Sequence, residues 1–253
     1  MRIALISDIH ANYPALEAVI THAKSLGIKR FWCLGDLVQF NAFPEEVVKT
    51  IRKLKAVCIH GNIDLKVMEM KQELNQLPIE ELPEDLSPFA WSYLQLSKQS
   101  RKFLKKLPEK AKVKLRGFKF LLVHGSPAAN DDPIYIDTPM ERLEELAEGV
   151  NADIILCGHT HKPFIHEVKD VHIINPGSVG RPIDHDPRAS YAVLTIKKKY
   201  VGVEFYRVEF DLQLAVDAIR EAGLPETYAR LVESGISLDD LKNHDSEVTK
   251  VEP

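Results

Sequence analysis

The sequence predicts an α/β protein with two mixed β-sheets and a helical insertion beside them. Three observations carry this. Short apolar runs alternate with amphipathic helical patterns up to residue 59, strand signals then stop over residues 65–108, and a hairpin pattern opens a second sheet at residue 111. Strands that alternate with helices imply a parallel sheet covered on both faces. A chain of 253 residues can bury one sizeable core, so a single domain is expected over residues 1–242, followed by a polar C-terminal tail over 243–253.

Each element has a local reason. Residues 3–6 (IALI) form the first strand, and Leu16, Val19, Ile20, Ala23 and Leu26 then share one helical face. Asn12 suits the cap of that helix, Pro14 its first turn and Gly27 its stop. A strand at 31–34, a helix opened by Pro44 with Val47, Val48, Ile51 and Leu54, and a strand at 56–59 repeat the period. Ser87-Pro88 and Ser97 mark helix starts within the 65–108 insertion. Ala111, Val113 and Leu115 alternate with basic residues, Gly117 turns the chain, and 118–123 returns as the hairpin partner. Thr138, Pro139 and Glu141 suggest a capping box before Leu143, Leu146 and Ala147. Strands follow at 154–157, 171–174, 191–196 and 201–210, and Asp211 and Pro225 open two terminal helices.

Composition narrows the function classes. With 45% hydrophobic and 28% charged residues and no low-complexity tract, the chain is not of a disordered class. A net charge of -4 gives no general attraction for long nucleic acids, and the basic residues of 98–119 and 197–199, lacking interleaved aromatics, read as a solvated face. A local basic patch can still attract a small phosphate compound, so the expected partner is small, with no membrane; nothing opposes a homo-oligomer. Cys33, Cys58 and Cys157 lie apart inside apolar runs, as reduced buried thiols of a cytoplasmic protein would. No apolar run reaches membrane-spanning length.

Polar clusters stand where the strands run out: Asp8 and His10, Asp36, Asn62 and Asp64, His124, then His159 and His161. The carboxyl ends of strands in α/β sheets form the crevice where ligands bind. Gly35, Gly61, Gly125 and Gly158 sit beside these residues, where glycine permits unusual turns that aim side chains. Imidazole and carboxylate without thiolate suit first-row divalent ions such as Mn, Fe, Co, Ni or Zn. Asp8, His10, Asp36, Asn62, His124, His159 and His161 exceed what one tetrahedral ion takes, so two ions are the economical expectation.

The motifs DIH at 8–10, GD at 35–36, GNID at 61–64, HG at 124–125 and GHTH at 158–161, with NPGSVG at 175–180, resemble the calcineurin-like metallophosphoesterases, particularly their small bacterial and archaeal phosphodiesterase-type branch. The resemblance implies a four-layer α/β/β/α sandwich, with residues 65–108 as a cap. It implies one metal held by Asp8, His10, Asp36 and His161, and another by Asp36, Asn62, His124 and His159, with Asp36 bridging. A metal-bridging hydroxide would attack phosphorus in line, with Asn62 and Arg181 stabilising the charge that builds on oxygen.

One position departs from the family pattern. Where many phosphomonoesterases carry a proton-donating histidine this chain has Ile63, which leans toward phosphodiesters or nucleotide-type esters with good leaving groups. Asp64 then either orients a metal-bound histidine or caps the following helix. Candidate catalytic residues are Asn62, Asp64 and Arg181; candidate substrate contacts are Asn12, Asn62, Ser126, Ser178 and Arg181. Asn12 serves equally as a helix cap, and the NPGSVG loop either presents amides to phosphate or closes a strand. Lone histidines at 22, 60, 166, 172, 185 and 244 read as structural. Competing functions are a phosphomonoesterase or protein phosphatase, a dinucleoside polyphosphate hydrolase, a nuclease, and a non-catalytic scaffold of the same fold.

Overall fold

A computed structural model describes residues 1–248. The chain runs β1 (Arg2–Ile6), α1 (Tyr13–Ser25), β2 (Phe31–Cys33), α2 (Pro44–Leu54), β3 (Val57–Cys58) and α3 (Asn62–Glu73). It continues through α4 (Ser87–Gln95), α5 (Lys98–Leu104), the hairpin β4 (Ala111–Leu115) and β5 (Phe118–Leu122), α6 (Met140–Ala147) and β6 (Ile154–Leu156). Then follow β7 (Pro163–Val168), β8 (Val171–Pro176), β9 (Ala189–Lys197), β10 (Tyr200–Val208), α7 (Leu212–Glu221), α8 (Glu226–Ser234) and α9 (Leu238–Val248).

Two five-stranded sheets result, in the orders β10-β9-β1-β2-β3 and β4-β5-β6-β8-β7. Both are mixed: β1, β2 and β3 are parallel in the first, β5, β6 and β8 in the second, with antiparallel partners at the edges. Strand period two sorts the core into layers. Ile3 and Leu5 of β1 face Phe120, Leu122, Ile154 and Leu156 of the other sheet, whereas Ala4 and Ile6 face Leu16, Val19 and Val47 of α1 and α2. On the far side Leu121, Ile155 and Ile173 meet Leu143 and Leu146 of α6. The order is helix, sheet, sheet, helix, and the expected α/β/β/α sandwich is present.

Several local expectations needed correction. The α6 start is not a capping box: Pro139 occupies the cap without a side-chain bond, and Thr138 Oγ1 instead accepts from the Tyr135 amide at 2.8 Å. β7 went unread because Pro163 heads it and its exposed Ile165 breaks the apolar pattern; it pairs antiparallel with β8. α3 begins at Asn62, a start the sequence reading did not mark, so the 65–108 insertion opens inside that helix. Val67, Met70, Ala90, Tyr93 and Leu104 of that insertion join the outer core beside Val47, Val48 and Ile51 of α2. α9 continues through Val248, beyond the expected start of the polar tail at 243, and residues 249–253 lie outside the described residues.

Candidate metal centre

The parallel strands of both sheets end at one edge, and their following loops extend the ladder hydrogen bonds. Asp8 N donates to Gly35 O at 3.1 Å, His10 N to Asp36 O at 2.9 Å, and Gly158 N to His124 O at 2.7 Å. The NPGSVG segment adds Val179 N to Ser7 O and Gly180 N to Asp8 O, both at 3.0 Å. Side chains as far apart in the chain as Asp8 and His161 thereby meet. Two groups form: Asp8, His10 and His161, and Asp36, His124 and His159, each with ligand atoms within 4.8 Å of one another.

Asp36 joins the groups. Its Oδ2 lies 3.2 Å from His124 Nε2 and 3.8 Å from His10 Nε2, so one carboxylate reaches both clusters. Asp8 Oδ1 stands 3.3 Å from His161 Nε2 and 3.9 Å from His124 Nε2. Asn62 heads α3, and the next amide, Ile63 N, donates to Asp36 Oδ1 at 2.9 Å, which holds the two loops together. The structure thus gathers the imidazole and carboxylate ligands expected from the sequence and sets Asn62 alongside.

The atoms left over fit cations. His124 Nδ1 is 2.7 Å from Leu34 O and His161 Nδ1 is 2.6 Å from Arg181 O. A carbonyl accepts only from N–H, so in the neutral ring each Nε2 turns a lone pair toward the cluster. Nε2 of His10 and His161 approach to 3.1 Å, an arrangement that a shared cation satisfies. Asp8 Oδ1, Asn62 Oδ1 and His124 Nε2 are buried without a hydrogen-bond partner, and such atoms are rare unless something else binds them. The donor set of nitrogen and oxygen matches divalent first-row metals.

Backbone strain concentrates at the same residues. Asp8 (φ 53), His10 (φ 48), Asp36 (φ 52), His159 (φ 68) and His161 (φ 57) all occupy the left-handed region. Non-glycine residues held there cost about 1–3 kcal/mol each and persist where surroundings over-determine them, typically at functional sites. The glycines serve differently from expectation. Of Gly35, Gly61, Gly125 and Gly158 only Gly35 has positive φ; Gly61 is required because a Cβ there would sit 1.9 Å from Asp36 Oδ1.

Charge coupling is strong in this buried setting. Burial would raise the Asp8 carboxyl, but His161, with help from His124 and His10, holds it well below the usual range. Asp36 behaves likewise, with His124 as its main counter-charge. Burial would lower His124, yet Asp36 and Asp8 lift it to about 10. His10 is pushed down to about 3 by burial, against the pull of Asp36 and Asp8, and burial with the nearby His124 lowers His159. Asp64 rises to about 7 because it is buried beside Asp36.

Several candidate contacts turn out to be braces. Asn12 Oδ1 accepts from Ala15 N at 3.1 Å as the α1 cap, and its Nδ2 donates to Gly180 O at 3.0 Å. Ser178 Oγ donates to Asp8 O at 2.7 Å and accepts from Arg181 N at 2.8 Å. Ser126 Oγ donates to Asp132 and accepts from Ala128 N. All three are fully buried with their polar atoms engaged, so they shape the loops in place of the substrate contact expected of them. Within NPGSVG the Val179 and Gly180 amides donate to Ser7 and Asp8 and the Gly177 amide to Asn175 Oδ1, so these three close the loop onto the strand ends. Asp64 caps α3 through Gly61 N at 3.0 Å and accepts from Leu37 N at 2.9 Å; these bonds run to backbone, not to a histidine. The side chain of Ile63 packs onto the outer core.

Arg181 does reach the site. Its buried Nε lacks a partner, its guanidinium lies 4.4 Å from the centroid of the Phe40 ring, and burial lowers its pKa. Sequence reasoning missed Gln39, Phe40 and Tyr228, which surround this arginine. The signal was weak: they belong to no motif, and Tyr228 lies 188 positions beyond Phe40. Asn175, a fully buried brace, also went unassigned; its Nδ2 donates to Gly158 O at 2.7 Å and fixes the GHTH loop.

A two-sheet sandwich whose strand ends deliver paired His/Asp clusters defines a metal-dependent phosphoester hydrolase. A sequence model of the calcineurin-like phosphoesterase superfamily domain matches residues 1–199, and the chain belongs to that superfamily. An uncharacterised protein of Methanocaldococcus jannaschii is 33% identical over 244 residues, covering 88% of this chain and 94% of the relative. The phosphodiesterase YfcE of Escherichia coli is 28% identical over 204 residues, covering 77% and 87%. The solved metallophosphoesterase of Sphaerobacter thermophilus superposes with a TM-score of 0.77 at 29% identity, covering 93% of this chain and 99% of that one.

Proposed function

We propose that the protein hydrolyses small phosphodiesters, or nucleotide-type phosphate esters, at a centre of two divalent ions. The observation that carries this is the pair of three-residue ligand groups with Asp36 reaching both. Asp8, His10, Asp36 and His161 would hold one ion, and Asp36, Asn62, His124 and His159 the other. When bound, such ions supply Lewis acidity toward phosphate oxygens and a nucleophile from water near neutral pH. Manganese is the favoured metal, with iron, zinc, cobalt and nickel compatible with the same donors.

The chain's own residues do the positioning. Arg181, with its unpartnered Nε, stabilises charge that builds on the phosphoryl oxygens, and the Asn62 amide assists from the head of α3. Asp64 acts through backbone, holding the loops of Asp36 and Asn62 in register. Position 63 offers no proton to a leaving group, because isoleucine has none and packs away. Esters whose alcohol departs without assistance are therefore preferred. The relative named a phosphodiesterase supports the same choice. Residues 65–108 would act as a cap near the mouth of the site, and the buried free thiols accord with a cytoplasmic location.

The test is turnover of bis(p-nitrophenyl) phosphate against p-nitrophenyl phosphate with manganese. The diester should be hydrolysed at least about tenfold more efficiently, and because both esters release p-nitrophenolate the ratio reads the preference for a second ester group on phosphorus. A preference for the monoester would contradict the proposal. No turnover of either, with two ions bound, would favour the scaffold instead.

A further inference from the structure

The loop after Asp36 and the C-terminal helices build a wall beside the metal centre that neither the ligand groups nor the proposed chemistry uses. Phe40 stands edge-on to His10 with ring centroids 5.0 Å apart, carries the Arg181 guanidinium at 4.4 Å, and meets Tyr228 of α8 at 4.9 Å. Gln39 Nε2 donates to the Tyr228 hydroxyl at 3.4 Å, while Gln39 Oε1 is buried with no partner. Phe40, Tyr228 and Arg181 are only half-buried, so the wall keeps accessible surface next to the buried His10.

Backbone geometry marks the wall as independently constrained. Gln39 (φ 74) and Phe40 (φ 72) are consecutive non-glycine residues in the left-handed region, though neither is a metal ligand. Asn41 holds the strained pair, its Nδ2 donating to His10 O at 2.8 Å. α8 is seated from behind by the cluster of Ala215, Val216, Ile219 and Ala229, against which Ala42, Trp91 and Tyr228 pack. Tyr228 therefore lies beyond the segment matched to the superfamily, 1–199, yet is delivered to the mouth by a rigid support.

Resting on the phosphodiesterase reading above, we infer that Tyr228 and the face of Phe40 not covered by Arg181, two rings inclined at 61°, form a shelf for a planar aromatic substituent on the substrate, with Arg181 beside it for the phosphoryl group. An aromatic ring laid on such a surface gains stacking and burial, and Arg181 links the shelf to the charge at phosphorus. The shelf selects the retained ester group, such as a nucleoside base or an aryl ring, and leaves bond cleavage to the metal centre.

Phenyl p-nitrophenyl phosphate and methyl p-nitrophenyl phosphate share a leaving group and differ only in the retained substituent. The manganese-loaded wild-type protein should show KM at least about tenfold lower for the phenyl ester, a stacking-sized effect, with kcat within about threefold. Tyr228→Leu and Phe40→Leu, which keep apolar volume, should bring the KM ratio close to one, and Tyr228→Phe should preserve it. Equal KM values in the wild type, or an undiminished ratio in Tyr228→Leu, would overturn the shelf while leaving the phosphodiesterase reading intact. Failure of the wild type to hydrolyse either ester would overturn both.

Discussion

Asp36 carries the greatest functional weight per atom, since its Oδ2 faces ligands of both groups while Oδ1 anchors the head of α3. Asp36→Asn keeps the shape but removes the negative charge that two cations would share. It should lower bound metal and reduce turnover by more than the roughly 100-fold that loss of an outer-shell partner can cause, as checked by metal analysis and initial rates. His124 makes the site pH-sensitive. Raised to about 10 from an ordinary 6.5, it favours the metal-free fold fully below 6.5 and loses that contribution as pH rises through about 10. The same proton must leave before a metal can bind. Apparent metal affinity should therefore rise by up to about tenfold per pH unit below that range, with proton release seen by titration calorimetry in buffers of different ionisation enthalpy. A pH-independent affinity would contradict the assignment. These clustered His and Asp side chains were legible in the sequence because strands end immediately before them; the contact of Phe40 with Tyr228 was not, because an aromatic contact between distant positions leaves no spacing to read.

At the scale of elements, loops rather than strands are the precise parts. α3 must start beside Asp36, and Gly61 is the residue that lets it. In Gly61→Ala the added methyl would need the space of Asp36 Oδ1, 1.9 Å away. Overpacking of this kind costs about 1–3 kcal/mol and should also displace the carboxylate, so thermal unfolding and metal content should fall together. Most helices and strands were readable because caps and breakers stand at their ends: Asn12 and Asp211 accept from amides three positions on. β7 and α9 were not, the first for its exposed Ile165 and the second for its polar run after Leu241. The braces were harder to tell from substrate contacts, although the cap role of Asn12 was among the readings. Asn12, Ser126 and Ser178 have the chemistry of substrate contacts, and only their burial reveals that loop carbonyls and amides already occupy them.

For the whole molecule, the centre lies where the two sheets meet, so ions there would tie both halves of the sandwich. Ligands from β1 and β2 belong to one sheet and those after β5 and β6 to the other. A ligand that binds only the folded state at a concentration 100 times its Kd adds about 2.7 kcal/mol. For a chain of this size that is a rise in Tm of about 5–10 °C, reversible with chelator and absent in Asp36→Asn. No described helix is long and apolar enough to cross a membrane. The most direct test of the central claim is anomalous diffraction from crystals grown with manganese. Two peaks are expected, one among Asp8, His10 and His161 and one among Asp36, His124 and His159, with Asp36 touching both. A single peak, or an Asp36 that contacts neither, would contradict a shared two-ion centre.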